Sequence, residues 1–370
     1  MKILIIGNGA IGNINGKHAI NKHTSQFCEE LLQKGYNVGF LQFEKSMEKN
    51  EGLQDSKINN EIKVYTISTS LSQNKIYKAL SYLKISLLLF KTLRKYDFVY
   101  IFYPGFLPYL AVSFCNILKT KYALYVRGVF DTSSRIESFF IKNANFCLTV
   151  SDLLKEQLHK KNRNVEIIAP MIDFSITDVI KNRNFNIKGK KRCLFVGRIE
   201  MKKGVFILAE TIKKLSKKNI DIFFDIVGSG EDLHSLISVL SDNNNVVIHG
   251  QISDKNKLFS LYKNSDMFVF PTYYPEGFPR VIYEAMIANT PIITTNAGGI
   301  GNMMKNEHNC LIVQQKDANS LYEAIVRLNN SPNVVENITD QATRDIMKIL
   351  DGERQKHSIL LSNKLELLNF

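Results

Sequence analysis

The sequence PEGFPRVIYEAM at residues 275–286 joins the end of a predicted strand to the start of a predicted helix. The preceding apolar run DMFVFP at 266–271 is typical of a buried strand that ends at a proline. Gly277 allows a close approach of the backbone, and Pro279 suits the first helical position, where a missing N–H has no cost. We therefore expect a helix at about 279–288. Free backbone donors collect at such a helix N-terminus, so the stretch predicts an anion site.

Two carboxylates fall within this predicted anion site. Glu276 lies in the loop before the helix, and Glu284 lies inside the helix. A phosphate repels a carboxylate, so each acid is better suited to hydroxyl groups, for which an acceptor-only side chain is useful. A ligand that carries both phosphates and hydroxyl groups, such as a nucleotide sugar, suits the whole stretch.

The spacing of Glu276 and Glu284 resembles the E-x7-E signature of the family 4 retaining glycosyltransferases, which have the two-domain GT-B fold. The specific resemblance covers about residues 191–330, and the N-terminal half matches only in outline. Further segments resemble elements of that family and follow in the same order, namely FVGR at 195–198, KKG at 202–204, VGSG at 227–230, VIHG at 247–250 and AGGI at 297–300.

This resemblance implies an enzyme, a retaining hexosyltransferase of bacterial polysaccharide synthesis such as that of capsule or lipopolysaccharide. It implies that a hexose moves from a nucleotide-diphosphate sugar to a glycan acceptor, which we expect to be lipid-linked. It assigns Glu276 to the transferred sugar and Glu284 to the ribose hydroxyls. The main-chain groups that would hold the phosphates or the sugar lie around Gly277, Phe278, Arg280 and Val281, whereas Pro279 has no N–H to donate.

The chain of 370 residues is long enough for two domains, each with its own core. Apolar runs alternate with helical patterns, which indicates an α/β fold of parallel strands with crossover helices. We expect a Rossmann-like domain at 1–171, a linker at 172–191 and a second Rossmann-like domain at 192–345. By the resemblance, the two parallel sheets face a central cleft, and a helix at 346–370 packs back on the first domain. The predicted strands include 38–41, 64–67, 98–103, 122–126, 146–150, 165–169, 193–196, 222–227, 246–248 and 291–294.

Arg198 and Lys203 follow a predicted strand end, and in isolation such residues are usually surface charges. Open α/β sheets bind ligands at the carboxyl ends of their strands, so both are candidates for neutralising a diphosphate. The sequence has no D-x-D metal motif near a strand end, so we expect no metal and no other cofactor. Two cations and a helix dipole would replace the metal. His249 and Gly250, at the end of another strand, are weaker candidates for the base site.

Arg127 stands where many members of the family carry a histidine that faces the sugar. A guanidinium stays protonated, so Arg127 cannot act as a general base. It is instead a candidate for contacting a phosphate of the donor or of the acceptor. A same-face displacement, in which the departing phosphate oxygen takes the acceptor's proton, needs no base from the enzyme.

The sequence GNGAIG at residues 7–12 matches the G-x-G-x-x-G pattern of dinucleotide-binding folds. The context differs, because residues 13–16 are poor helix formers and a helical pattern starts only near Thr24. The acidic Glu44 comes 32 residues after Gly12, instead of about 20. We expect a long glycine-rich turn in which Gly12 and Gly16 border the donor phosphates, although a purely structural turn stays open. The alternative functions are a nucleotide-sugar epimerase, a dinucleotide-dependent oxidoreductase and a non-catalytic membrane binder.

The formal charge of +13 predicts an anionic partner. Between Gln73 and Arg127 there are nine basic residues and one acidic residue, and leucines interleave with the charges at helical spacing. This pattern favours an anionic membrane surface over nucleic acid, with a solvated lysine-rich face as the alternative.

The cysteines are odd in number and scattered without a C-x-x-C pair, which argues against a disulfide framework and favours a reducing cytoplasm. The N-terminal apolar run is too short for a secretion signal. Residues 98–118 carry no charge, but Pro104, Gly105 and Pro108 interrupt them, so we expect a strand and a helix there, not a membrane span. We therefore expect a cytoplasmic protein, peripheral on the inner face of the membrane.

Overall fold

The computed structural model describes residues 1–14, 17–46, 56–68, 75–128, 130–183, 190–275 and 277–368. The chain forms two compact units. The first unit contains Met1–Ile168 together with Gln355–Phe370, and the second contains Ala169–Arg354.

The first unit alternates strands with helices, as the sequence pattern predicts. Its strands are β1 (Lys2–Ile14), β2 (Lys17–Ile20), β3 (Asn37–Ser46), β4 (Ser56–Lys57), β5 (Lys63–Ser68), β6 (Phe98–Tyr103), β7 (Tyr122–Val126), β8 (Cys147–Thr149) and β9 (Val165–Ile167). Its helices before the second unit are α1 (Lys22–Gln33), α2 (Lys75–Leu93), α3 (Phe106–Leu118), α4 (Arg135–Asn143) and α5 (Asp152–His159).

The sheet of the first unit is built on parallel pairs in the order β5-β3-β1-β6-β7-β8-β9. The short strands β2 and β4 add an antiparallel branch beside the end of β1. Strands β6 and β7 are buried along their whole length, which fits near-continuous apolar runs covered on both faces. Strand β1 pairs with β6 only as far as Ile6, so the residues that follow Ile6 lie near the carboxyl ends of β6 and β7.

The prediction of a long glycine-rich turn after the first strand is wrong. Strand β1 continues to Ile14 with a register shift between Ile6 and Ala10, and β2 then pairs back onto it. The glycines of this stretch suggest a turn in the sequence. In the structure they permit an irregular strand, as glycines do at β-bulges. Gly12 is buried and lies opposite Ala19, while Gly16 lies outside the described residues. Because α1 begins only at Lys22, no helix N-terminus follows the glycines directly.

Residues 98–118 fold as predicted into β6 and the helix α3, with Pro104 and Gly105 between them. Within the described ranges, no helix is both long enough and apolar enough to cross a bilayer. All five cysteines are buried and unpaired.

The second unit also alternates strands with helices. Its strands are β10 (Lys191–Val196), β11 (Ile222–Val227), β12 (Val246–Gly250), β13 (Met267–Phe270), β14 (Ile292–Thr294) and β15 (Leu311–Ile312), and they form a parallel sheet in the order β12-β11-β10-β13-β14-β15. Its helices are α6 (Val205–Lys217), α7 (Leu233–Val239), α8 (Lys255–Asn264), α9 (Arg280–Ile287), α10 (Ile300–Met303), α11 (Ala318–Asn330) and α12 (Pro332–Lys348).

The segment that opens the second unit packs on that unit. Ile172 and Phe174 lie against its hydrophobic core, and Ile180 N–H donates to Ile287 O at 2.9 Å. The Arg183 guanidinium donates to Ser265 O at 2.5 Å. These contacts hold residues 172–183 to α8 and α9.

The last helix, α13 (His357–Glu366), belongs to the first unit, as the family resemblance implies, but residues 346–354, which we expected to be part of this helix, belong to the second unit. Its His357 ring stacks on Phe27 with 4.1 Å between the ring centres. Ser358 Oγ donates to Glu30 Oε2 at 2.6 Å, so polar contacts to α1 accompany the apolar packing.

Candidate functional site

Backbone hydrogen bonds join the carboxyl-end loops of the second sheet to one another. Gly197 N–H donates to Val227 O at 3.0 Å, and Gly228 N–H donates to Gly250 O at 2.8 Å. Gly228 has φ +146°, and a Cβ there would lie 1.8 Å from Gly197 O. Only glycine fits such an approach, so the VGSG segment acts as a spacer that lets the loops pack.

The basic turn after β10, residues Met201–Lys203, is fixed to the loop after β13. The carbonyl oxygen of Lys202 accepts hydrogen bonds from Tyr273 N–H at 3.0 Å, Tyr274 N–H at 3.2 Å and Thr272 Oγ1 at 3.2 Å. Gly204 follows with φ +80°, and a Cβ on it would lie 2.1 Å from Pro271 O. The two segments that the sequence assigns to phosphate and sugar binding are therefore neighbours.

The two predicted cations that follow β10, Arg198 and Lys203, differ in their surroundings. Lys203 is only 6% exposed, and its Nζ lies 4.8 Å from the centre of the Tyr274 ring. Arg198 is exposed and forms an ion pair with Glu200. Sequence reasoning missed Glu200, although an acid two residues from an arginine in a loop is a possible local partner. A phosphate at Arg198 would use the remaining N–H groups or displace Glu200.

The helix predicted at about 279–288 is present as α9, but it begins one position later than the sequence suggested. Pro279 is the residue that precedes the first helical turn, with φ −71° and ψ 129°. Gly277 and Pro279 are buried, and the Phe278 ring packs on Tyr283 at 4.5 Å between centres. The first amides of a helix have no partner within it, so α9 presents donors beside Arg280 and Val281 at this end.

Glu284 lies one turn further along α9, partly buried and held from one side. Its Oε2 accepts a hydrogen bond from Tyr262 Oη at 3.0 Å. Burial raises the pKa of the Glu284 carboxyl and the nearby Asp173 adds to that effect, while the Tyr262 hydrogen bond and Arg280 lower it. The raised pKa reflects the limited contact of this carboxyl with water. Glu276 lies outside the described residues, and its assignment stays a prediction.

His249, a candidate for the base site, is held by the carboxylate of Asp225, which the sequence did not single out. The imidazole Nε2 lies 2.7 Å from Asp225 Oδ1. The other Asp225 oxygen accepts from Arg192 at 2.6 Å and 3.0 Å. Because Asp225 is buried, this network fixes the ring next to Gly250, whose φ of +67° turns the chain out of β12.

Arg127, the candidate in the first unit, lies directly after β7 and is exposed. Its Nη2 donates to Asn8 Oδ1 at 2.8 Å, and its Cζ lies 5.8 Å from the centre of the Phe102 ring. Gly12 lies in the paired part of β1, opposite Ala19. Among the residues that the structure describes, no group of three His, Cys, Asp or Glu side chains could hold a metal ion.

Residues 177–345 match the family model described as glycosyl transferases group 1. The second unit is thus similar to the group 1 glycosyltransferases over most of its length. The match confirms the predicted resemblance to family 4-like enzymes over this region and supports the prediction of a sugar-transferring enzyme. It does not favour the epimerase or oxidoreductase alternatives. Among the described residues after Gly12, no helix begins before α1 at Lys22, which also argues against a dinucleotide site.

The chain is similar to several proteins that are named as glycosyltransferases. The capsular polysaccharide biosynthesis glycosyltransferase CapM of Staphylococcus aureus is 30% identical over 218 residues, which is 53% of this chain and 56% of CapM. The UDP-Gal:alpha-D-GlcNAc-diphosphoundecaprenol alpha-1,3-galactosyltransferase of Escherichia coli is 32% identical over 173 residues, 45% of this chain and 43% of that protein. The matches thus span about half of the length of each relative.

The fold of the whole chain is similar to that of HepE from Anabaena in its complex with UDP-glucose. The TM-score is 0.68 at 16% identity, with 100% of this chain and 99% of that chain covered. This likeness shows the fold alone, and it confirms the prediction of a GT-B protein with two Rossmann-like domains.

Proposed function

We propose that the protein transfers a hexose-type sugar, with retention of configuration, from a nucleotide-diphosphate sugar to a glycan acceptor. The observation that carries this proposal is the set of hydrogen bonds that Lys202 O accepts. These bonds fix the basic turn beside the loop that leads into α9. Lys203, Arg198 and the N-terminus of α9 would then share one diphosphate. Glu284 would accept hydrogen bonds from the ribose, and Glu276, by the family resemblance, would contact the sugar.

The reaction we propose is a same-face displacement that needs no metal. The bond between C1 of the sugar and the phosphate oxygen breaks while the acceptor oxygen bonds to C1 from the same face. The departing phosphate oxygen takes the proton of the acceptor hydroxyl. Positive charge near the leaving diphosphate stabilises the charge that develops there, which is usually the largest single contribution in such sites.

A panel of UDP-, GDP- and ADP-sugars tests this proposal. A ligand that binds the native state raises the melting temperature, so the correct donor should stabilise the protein. The donor should also be consumed when a glycan acceptor is added, and EDTA should not reduce the rate. Glu276→Ala should abolish transfer while the protein stays folded. Full activity in that variant, or no response to any nucleotide sugar, would overturn the assignment.

The acceptor we propose is lipid-linked and lies at the cytoplasmic face of the membrane. Similar proteins act in capsule synthesis or, by name, on a diphosphoundecaprenol-linked sugar. In α2, Ile85 and Leu89 are buried in the hydrophobic core, whereas Leu83 and Leu87 on the other side of the helix are 57% and 51% exposed. Lys84, Lys91, Arg94 and Lys95 are exposed around these two leucines, so the helix face fits an anionic lipid surface.

Vesicle sedimentation tests this membrane contact. The protein should pellet with vesicles that contain anionic lipid and stay in solution with neutral ones. The double variant Leu83→Ser, Leu87→Ser should lose most of this binding, whereas Ile237→Ser, which removes a comparably exposed apolar residue from the second unit, should not. Equal pelleting of all three proteins would contradict the assignment of α2.

A further inference from the structure

Asn8, Pro104 and Arg127 meet at one edge of the first sheet. Asn8 lies in the irregular part of β1 between Ile6 and Ala10, Pro104 follows β6, and Arg127 follows β7. The pairing of β1 with β6 ends at Ile6, and that of β6 with β7 ends at Tyr103 and Val126, so the three residues come together just beyond these paired stretches. Open α/β sheets bind their ligands at this edge.

The Arg127 guanidinium is held in one place by uncharged groups. Asn8 Oδ1 accepts from Arg127 Nη2 at 2.8 Å, and Asn8 Nδ2 donates to Pro104 O at 3.2 Å. The second bond fixes which end of the Asn8 amide faces the arginine. The Phe102 ring lies beneath the guanidinium, at 5.8 Å from Cζ to the ring centre.

The charge of Arg127 has no acidic partner within the described ranges. The groups that touch it there are an amide oxygen and an aromatic ring, and neither cancels its charge. His357, whose pKa the charge of Arg127 helps to lower, is buried and carries no negative charge. The guanidinium is exposed, and within the described ranges Asn8 is its one hydrogen-bond partner. Its N–H groups have the planar arrangement that matches two oxygens of a phosphate.

We propose that Arg127 and Asn8 form a phosphate-binding site in the first unit, with Arg127 as the ligand of the phosphate and Asn8 as its positioning residue. The choice between the two sources of that phosphate, the nucleotide donor or a lipid-linked diphosphate acceptor, rests on the proposed function. The site itself does not. Asn8 is suited to its role because an amide orients the guanidinium without neutralising it, which an aspartate at the same place would do.

Calorimetric titration of the full-length protein with UDP and with geranyl diphosphate, a water-soluble prenyl diphosphate, tests the site. Arg127→Gln removes the ligand, and Asn8→Asp places a carboxylate against it. Both variants should lower the affinity for one of the two probes by roughly tenfold to a hundredfold, the range expected for a charge-assisted bidentate contact. Arg344→Gln is the matched control, because Arg344 is also an exposed arginine held by an amide oxygen, that of Gln341 at 3.0 Å.

The pattern of losses identifies the source of the phosphate. A loss confined to geranyl diphosphate supports the site and assigns it to the acceptor, and a loss confined to UDP supports it and assigns it to the donor. In the Arg127→Gln background, Asn8→Ala, which adds no charge, should have no further effect, because a positioning residue acts through its ligand. Affinities for both probes that equal those of the wild type in Arg127→Gln, or a wild type that binds neither probe, would overturn the proposal.

The binding assay also separates this proposal from the proposed function. Sugar transfer that persists at the wild-type rate while Arg127→Gln binds both probes normally sinks the phosphate site alone. Phosphate binding that depends on Arg127 in a protein that consumes no nucleotide sugar sinks the proposed transferase activity alone. The variant Arg127→Lys keeps the charge but loses the planar fork, so it should bind with intermediate affinity.

Discussion

The phenol of Tyr262 donates a hydrogen bond to Oε2 of Glu284 across 3.0 Å. Tyr262 lies on α8 and is fully buried, so its hydroxyl group approaches the carboxylate from the interior of the second unit. One oxygen of Glu284 is thereby held by the protein, and the carboxylate keeps one orientation on α9. Under the proposed function, this orientation presents the acid to the ribose.

Tyr262→Phe should therefore weaken nucleotide binding with little loss of packing. A hydrogen bond to a charged group contributes about 1.5–3 kcal/mol, so we expect at least about a tenfold rise in the dissociation constant for UDP or GDP, whichever the wild type binds. The variant should also discriminate less between that nucleotide and its 2′-deoxy form. Tyr322→Phe, on α11, is the control. Unchanged affinity and unchanged discrimination in Tyr262→Phe would show that the bond has no role in binding.

Lys203→Ala and Lys202→Ala should separate a ligand-binding lysine from a structural neighbour. The Lys203 side chain is buried beside Tyr274, whereas Lys202 is exposed and contributes its backbone carbonyl to the loop. Steady-state kinetics should show a loss of roughly a hundredfold in kcat for Lys203→Ala, the effect of removing one donor from a developing oxyanion. Lys202→Ala keeps its carbonyl and should stay within about twofold of the wild type. Equal losses in both variants would contradict the assignment of Lys203.

Gly228→Ala should disrupt the loop network, and Gly250→Ala should not. Both glycines have positive φ, +146° and +67°, so an alanine is strained at either position. At Gly228 the new Cβ also meets Gly197 O, whereas at Gly250 nothing lies within 4 Å. We expect Gly228→Ala to lower the free energy of unfolding by about 2–6 kcal/mol and Gly250→Ala by about 1 kcal/mol. Urea unfolding measures both, and similar values would refute the role of close packing at Gly228.

The sequence predicted the parts of this fold that depend on periodic apolar residues. The strands near Val38, Phe98, Tyr122 and Ile222 and the start of α9 within one residue all follow from hydrophobic patterning and proline. The two-residue strands β4 and β15 have too few residues for a pattern. The hairpin of β1 and β2 was missed because glycines that allow an irregular strand look like turn formers.

The site was predictable in part for a similar reason. Arg198, Lys203 and Glu284 lie at motif spacings that report local geometry, and the structure places Lys203 beside the loop before α9. The partners that orient such residues are distant in sequence. Asn8 and Arg127 are 119 residues apart and Tyr262 and Glu284 are 22 apart, so no local pattern links them. Contacts of this kind, between residues far apart in the sequence, are seen only in the three-dimensional structure.

His357 should make the first unit sensitive to acid. Burial first and the charge of Arg127 second lower the pKa of His357 from 6.5 to about 3, and its Nε2 lies 2.6 Å from Tyr100 Oη. The unfolded chain binds a proton below pH 6.5 that the folded chain does not bind until about pH 3. Stability is therefore lost as the pH falls through this window, by up to about 1.4 kcal/mol per pH unit from this residue.

His357→Phe should be less stable at pH 7, because Tyr100 loses its partner, yet its stability should fall less steeply from pH 6 to pH 4. Urea unfolding across that range measures the slope. His159→Phe, which alters an exposed histidine on α5, should leave the slope unchanged. Parallel pH profiles for wild type and His357→Phe would show that His357 titrates normally and that α13 is not held by a neutral, buried imidazole.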